Sequence, residues 1–193
     1  TCELDKIYTA DYYYVKFFDS DNGVIVCGYA KSNDTNESSR IYSTSNGGES
    51  WDIVGSGPAT NIIKGVVYVS SDVGFFCYDY VEGMDSNLYK TDDGGKTFAK
   101  VMLEEQELDS SAANPQGQET ETKTDSGKNG ADSSEQLRWG DVYKEALTPV
   151  VDSTGIITIY LTQGKNAVYN DGKTAAKYQS SDKGSTWKYI GQV

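Results

Sequence analysis

An eight-residue turn signature occurs three times in this chain and ends each time on a bulky aromatic. The copies are Thr44-Ser45-Asn46-Gly47-Gly48-Glu49-Ser50-Trp51, Thr91-Asp92-Asp93-Gly94-Gly95-Lys96-Thr97-Phe98 and Ser180-Ser181-Asp182-Lys183-Gly184-Ser185-Thr186-Trp187. Ser or Thr stands first, Asp or Asn third, Gly fifth, Ser or Thr seventh, and Trp or Phe eighth. The chemistry is that of a tight turn. An Asp or Asn side chain bonds the amides ahead of it, Gly supplies a positive φ, and the aromatic drops into a core. One such turn arises by chance in a chain rich in Gly, Ser and Asp; three argue a repeated architecture.

The flanks repeat as well. Phe18 to Gly23, Val69 to Gly74 and Val150 to Gly155 each run from an apolar residue to a Gly five positions on, and each leads into an apolar run. A Tyr precedes every turn by two positions (Tyr42, Tyr89, Tyr178), and a short apolar segment follows it. One unit therefore reads strand, Gly turn, strand, variable loop, strand, signature turn, strand. The segments are short, β-branched and aromatic, and bounded by Gly, Asn and Asp, as strands are. No stretch sustains a 3.6-residue apolar period, so helices beyond a turn or two are not expected.

The turn aromatics lie 47 residues apart between the first two copies and 89 apart between the last two. The excess is residues 103–137, an acidic stretch with nine carboxylates against Lys123 and Lys128. Its composition cannot bury enough apolar surface to offset chain ordering, so it reads as a flexible surface insertion within one domain spanning 1–193.

Four antiparallel strands per repeat of about 45 residues describe a β-propeller blade. The turns resemble Asp-box repeats of the sialidase type, also called BNR repeats, with Asn46, Gly48, Trp51, Asp93, Gly95, Phe98, Asp182, Gly184 and Trp187 as the structural box residues. With Phe18-Asp19-Ser20-Asp21-Asn22-Gly23 ahead of the first copy, the pattern also resembles propellers of the photosystem-II assembly-factor type, widespread in bacterial secreted proteins. The resemblance covers residues 12–102 and 139–193. It implies an all-β fold of four-stranded blades. Three blades are too few to close a ring. A partial or truncated propeller is expected, completed by further blades, by another subunit, or edged by residues 1–11.

Composition narrows the partners. The formal net charge of −12 repels phosphate backbones and anionic membranes, so nucleic acid is not an expected partner. No apolar run reaches the roughly 18 residues of a membrane span. Cys2, Cys27 and Cys77 form no metal-binding spacing, and His is absent, so neither a metal nor another cofactor is indicated. Cys27 and Cys77 fall at nearly equivalent places, as buried thiols or as a disulfide. Cys2 is a candidate lipidated residue, and the chain is expected to be extracytoplasmic, secreted or at the cell surface. Asp19-Ser20-Asp21-Asn22-Gly23 opens like a calcium loop, but its twelfth position is Ala30, so it reads as a polar hairpin turn.

Because strand direction alternates, the signature turns share one end of the blades, while the variable loops 28–40, 79–88 and 161–176 and the insertion gather at the other. Variable loops on a rigid scaffold are where binding residues reside. Candidate ligand contacts there are Arg40, Asp79, Glu82, Arg138, Trp139, Asp141 and Tyr169, with Asp34, Asp85 and Lys165 as further polar residues. Sialidase chemistry is excluded: it needs three arginines on the substrate carboxylate, and this chain has two, Arg40 and Arg138. The leading expectation is a non-catalytic module that binds a protein or a glycan. The alternatives are a carboxylate-dependent glycoside hydrolase-like domain and a purely structural part of a larger surface protein.

Overall fold

The computed structural model describes residues 10–29, 39–59, 61–106, 139–163 and 175–193. They form three antiparallel sheets, each a meander in sequence order. Blade 1 is β1 (Tyr12–Phe17), β2 (Gly23–Gly28), β3 (Ser39–Thr44) and β4 (Asp52–Ser56). Blade 2 is β5 (Ile63–Tyr68), β6 (Gly74–Tyr78), β7 (Leu88–Thr91) and β8 (Ala99–Lys100). A single helical turn, α1 (Trp139–Val142), and the two-residue β9 (Glu145–Ala146) lead into blade 3: β10 (Val150–Val151), β11 (Ile157–Thr162), β12 (Ala175–Ser180) and β13 (Lys188–Gln192). The fold is an all-β propeller of four-stranded blades, and the three blades do not close a ring.

Register decides which side chains face which blade. In blade 1, Tyr13, Val15 and Phe17 oppose Cys27, Ile25 and Gly23, while Tyr14 and Lys16 oppose Val26 and Val24. Each blade thus has a leading face and a trailing face. The trailing face of blade 1 (Val24, Val26, Ile41, Val54) packs on the leading face of blade 2 (Val66, Tyr68, Phe76, Tyr78, with Tyr89 and Phe98). The trailing face of blade 2 (Phe75, Cys77, Leu88, Val101) packs on the leading face of blade 3 (Ile157, Ile159, with Trp187). The Tyr two positions before each turn lies on the leading face every time, since Tyr42, Tyr89 and Tyr178 pair with Ile25, Phe76 and Ile159.

The three turns share one network, and its hub is the first residue, not the third. The Thr91 hydroxyl, 1 % exposed, donates to Asp93 Oδ1 (2.8 Å) and accepts from the amides of Gly95 (2.8 Å) and Asp93 (3.3 Å). Thr44 and Ser180 make the same three bonds in their turns. Asp93 Oδ1 also accepts from the Thr97 amide (2.9 Å), and its second oxygen accepts from the Thr97 hydroxyl (2.5 Å). Asp182 does likewise with Thr186, and these bonds hold both carboxyls well below the ordinary carboxylate range. In the first copy the polarity reverses: Asn46 Nδ2 donates to Ser50 Oγ (2.8 Å).

The fifth-position glycine has two duties. Its φ is positive in all three turns (88°, 106° and 77° at Gly48, Gly95 and Gly184). In blades 2 and 3 it also backs onto the preceding blade: a Cβ on Gly95 would lie 3.1 Å from Ile41 Cδ1, and one on Gly184 only 2.5 Å from Phe75 Cζ. Of the turn aromatics, Trp187 meets Phe75 across the second junction (6.0 Å), whereas Phe98 meets Phe76 (4.9 Å) and Trp51 meets Phe17 (5.9 Å) within their own blades. All three are half-buried.

Asp19 spends its carboxylate on its own turn, accepting from the amides of Asp21 (2.9 Å) and Asn22 (2.7 Å), as a polar hairpin turn requires. Cys27 and Cys77 are free, buried thiols, not a disulfide, and burial pushes each up to about 11. Of the acidic stretch 103–137, residues 107–137 lie outside the described residues. At its start Leu103 packs against blade 3, and the Tyr178 hydroxyl donates to the Glu104 carbonyl (2.7 Å).

Candidate functional site

Blades 1 and 2 meet through their inner strands and a buried core. The innermost strands lie side by side, and the Tyr12 and Tyr14 hydroxyls accept from the amides of Val66 (3.1 Å) and Tyr68 (3.0 Å) on the free edge of β5. Lys16 Nζ donates to the Tyr68 carbonyl (2.6 Å). Polar side chains thereby satisfy an edge that would otherwise stand unpaired.

Blades 2 and 3 meet differently. The inner strand of blade 3 is split into β9 and β10, with Leu147-Thr148-Pro149 between them. Pro149 cannot donate to a ladder, so the break falls where the sequence removes an N–H. Gly65 of β5 accommodates the kink, since a Cβ there would sit 2.2 Å from Thr148 Oγ1. β9 stays paired with β11, Ala146 opposite Leu161 and Glu145 opposite Thr162, and is tied across to blade 2 by Asn87. Asn87 Nδ2 donates to the carbonyls of Tyr78 (2.8 Å) and Ala146 (2.9 Å), and its Oδ1 accepts from the Ala146 amide (2.8 Å). Cys77 Sγ donates to the same Ala146 carbonyl (3.2 Å). Asn87 is 1 % exposed, so every one of these bonds is made away from water.

The strap leaves a cleft of about 360 Å³ at the loop end of this junction, walled by Tyr80, Met84, Asp85, Ser86, Leu88, Val101, Met102, Leu103, Glu105, Tyr143, Lys144 and Leu161, among others. Both methionines of the chain stand in it. Met102 is 62 % exposed, whereas Met84 is half-buried and its sulfur accepts from Asn61 Nδ2 (3.2 Å). The floor is apolar and the rim is charged. Lys144 Nζ pairs with Glu82 (2.9 Å) and Lys100 Nζ with Asp85 (2.7 Å), and Lys100 holds the Asp85 carboxyl below its usual range.

The sequence candidates divide accordingly. Asp85 lines the cleft, Glu82 stands at its rim through Lys144, and Asp79 lies just beyond, paired with Lys64 (2.7 Å). Trp139 and Asp141 lie on α1, whose Gly140 reaches the cleft wall; the side chains of the two are outside the described residues. Arg40 is on β3 of blade 1, opposite Cys27 and Ser56, and is not part of the cleft. Asp34, Arg138, Lys165 and Tyr169 lie outside the described residues. Sequence reading missed Asn87, Lys144, Tyr143 and the two methionines. The one signal for Asn87 was a Ser-Asn pair immediately before a strand, which is also what an ordinary loop shows.

The described residues also line two hollows elsewhere. One, of about 220 Å³, lies between the turn ends of blades 1 and 2; the other, of about 440 Å³, lies open on the trailing face of blade 3.

No family model matches the chain, and no curated protein matches it. Several solved structures resemble it, two of which follow. The first is the crystal structure of a GH74 enzyme from Niastella koreensis, at 17 % identity and a TM-score of 0.46, covering 90 % of this chain and 20 % of that one. The second is YCF48 bound to D1 peptide, at 14 % identity and a TM-score of 0.39, covering 94 % and 40 %. The chain therefore spans a fifth of the first and two-fifths of the second.

Proposed function

We propose that this chain is a non-catalytic, extracytoplasmic β-propeller module of Asp-box repeats that binds a partner through the cleft between blades 2 and 3. The observation that carries this reading is the cleft itself, an apolar floor under a charged rim at the loop end of the junction between blades 2 and 3. A protein segment is the favoured ligand over a glycan. Both methionines line the cleft, and unbranched thioethers adapt to irregular apolar side chains.

The loop acids support a binding role over hydrolysis. Glycosidic cleavage needs a carboxylic acid held protonated beside a second carboxylate. Asp79, Glu82 and Asp85 each sit in an ion pair with a lysine, and Lys100 holds the Asp85 carboxyl below its usual range.

The test is a display of random peptides and a glycan array, both probed with the labelled chain. The reading expects peptide hits that Met102→Glu abolishes while the near-ultraviolet circular dichroism is unchanged. Glycan hits alone would move the ligand class. Turnover of a chromogenic glycoside that Asp85→Asn removes would overturn the non-catalytic reading.

A further inference from the structure

The turn ends of the two junctions are lined from equivalent positions, filled at one and left open at the other. We propose that the open groove, between the turn ends of blades 1 and 2, is a binding site for a single ring of a neutral sugar. It is separate from the cleft, which lies at the opposite end of the other junction.

Register places the same positions at both junctions. Ser43 pairs with Val24 and with Asp52, so the three side chains share the face of blade 1 that meets blade 2. In the next blade Lys90 pairs with Phe75 and Ala99, on the face that meets blade 3. Lys90 stands where Ser43 stands, immediately before the turn signature, and Asp92 stands where Ser45 stands. At the second junction the Lys90 side chain is nearly covered, 12 % exposed, and pairs with Asp92 Oδ1 (2.7 Å). At the first junction both places hold serine, and a hollow of about 220 Å³ remains.

The open groove is polar round its edge and apolar beneath. Phe18, Val24 and Val54 form the floor. The rim carries the hydroxyls of Ser43, Ser45 and Ser71, with the Asp52 carboxylate on the blade 1 wall and the Lys96 ammonium on the blade 2 wall. None of these five rim side chains has a hydrogen bond or an ion pair among the described residues. The other carboxylate in the groove, Asp93, is taken up by Thr91 and Thr97 of its own turn, and the Asn22 amide donates to Asp19. In the next repeat the places of Asp52 and Lys96 are held by Ala99 and Ser185, so the charged pair goes with the open groove.

That lining narrows the occupant. A sugar ring carries hydroxyls round its edge, each able to donate and accept, and C–H groups on its faces. Its hydroxyls match the serines, donate to Asp52 and accept from Lys96, while a face covers the floor. Asp52 and Lys96 cancel, which favours a neutral ligand over an anion or a cation. The volume is below the roughly 300 Å³ at which pockets for drug-sized ligands begin, so one ring fits and a longer chain must run out into solvent. A free amino acid would match the two charges and leave the three serine hydroxyls unused.

Saturation-transfer NMR on the intact chain tests the proposal. Glucose, galactose, N-acetylglucosamine and, as the zwitterion, glycine are each supplied at about 5 mM, which suits the millimolar Kd of so open a groove. At least one sugar should receive saturation. Ser43→Lys with Ser45→Asp installs the pair that blade 2 already carries, fills the groove and should remove the transfer. Asp52→Ala, the residue that blade 2 has there, adds no bulk and should weaken binding about tenfold. Circular dichroism checks that both variants fold; Asp52 is exposed, so its variant keeps the test open if the double change does not. A panel without transfer to any sugar overturns the proposal. So does transfer that either folded variant leaves unchanged, or transfer to glycine alone.

Discussion

The two junctions between the three blades are built from the same repeat and do opposite things. The first is centred on a run of aromatic contacts, Tyr68 with Tyr14, Phe18 and Phe76, and Phe76 with Phe98, and leaves a hollow of about 220 Å³ at its turn end. The second is packed at its turn end by Phe75 and Trp187, but at its loop end a two-residue strand of blade 3 is tied across to blade 2 by the side chain of Asn87. Apolar packing spreads a junction's stability over many contacts, whereas the strap concentrates it in a few buried hydrogen bonds. The first arrangement makes a rigid wall; the second leaves the larger opening.

Phe76→Ala should have the largest effect. Phe76 is fully buried at the centre of the first junction, and a cavity there should lower unfolding stability by about 3–5 kcal/mol in denaturant titration. A loss near 1 kcal/mol would mean that the wall is less continuous than it looks.

Asn87→Ala should cost about 3 kcal/mol, since it strands buried amide and carbonyl groups of Ala146 and the Tyr78 carbonyl. It should also separate the junctions chemically. Cys77, which shares the Ala146 carbonyl, should become open to alkylation, while Cys27 in blade 1 stays protected until global unfolding. Equal protection of both thiols would show that the strap does not depend on Asn87.

Acid should discriminate the turns at the two junctions from the turn of blade 1. Asp93 and Asp182 are held below their ordinary 3.8, so the stability that they contribute is complete above that value. It fades as pH falls below 3.8 and is gone once pH passes the folded values. Asn46 has no proton to take up there. Replacing both acids with Asn should flatten the acid limb of a stability profile, and an unchanged limb would place acid sensitivity elsewhere.

Lys144→Ala should have the smallest effect on stability, below about 0.5 kcal/mol, because Glu82 is largely exposed and solvent screens the pair. Its expected effect is on ligand capture at the cleft. A large stability loss would make Lys144 part of the strap.

Much of the blade was legible because its determinants are local. Each signature turn closes within four residues, from Thr91 to Gly95 or from Asp93 to Thr97, so composition and spacing suffice to read it. The hub role of Thr44, Thr91 and Ser180 went unread, since a hydroxyl's burial depends on the blade behind it. The cleft was less legible. Loop acids were correctly placed at one end of the blades, but Asp79, Glu82 and Asp85 turned out to be lysine-paired. Their partners lie 15 to 62 residues away, and no local pattern announces them.

Sequence by itself determined the repeat, the strand order within each blade, and which end carries the turns. Turn chemistry and period-two alternation act over a few residues, so these properties are written in the order of the residues. Only the tertiary structure decided that Asn87 reaches Ala146 across 59 positions and that Met84 and Met102 converge. Those outcomes depend on which blade packs against which, and packing is set by distant surfaces meeting.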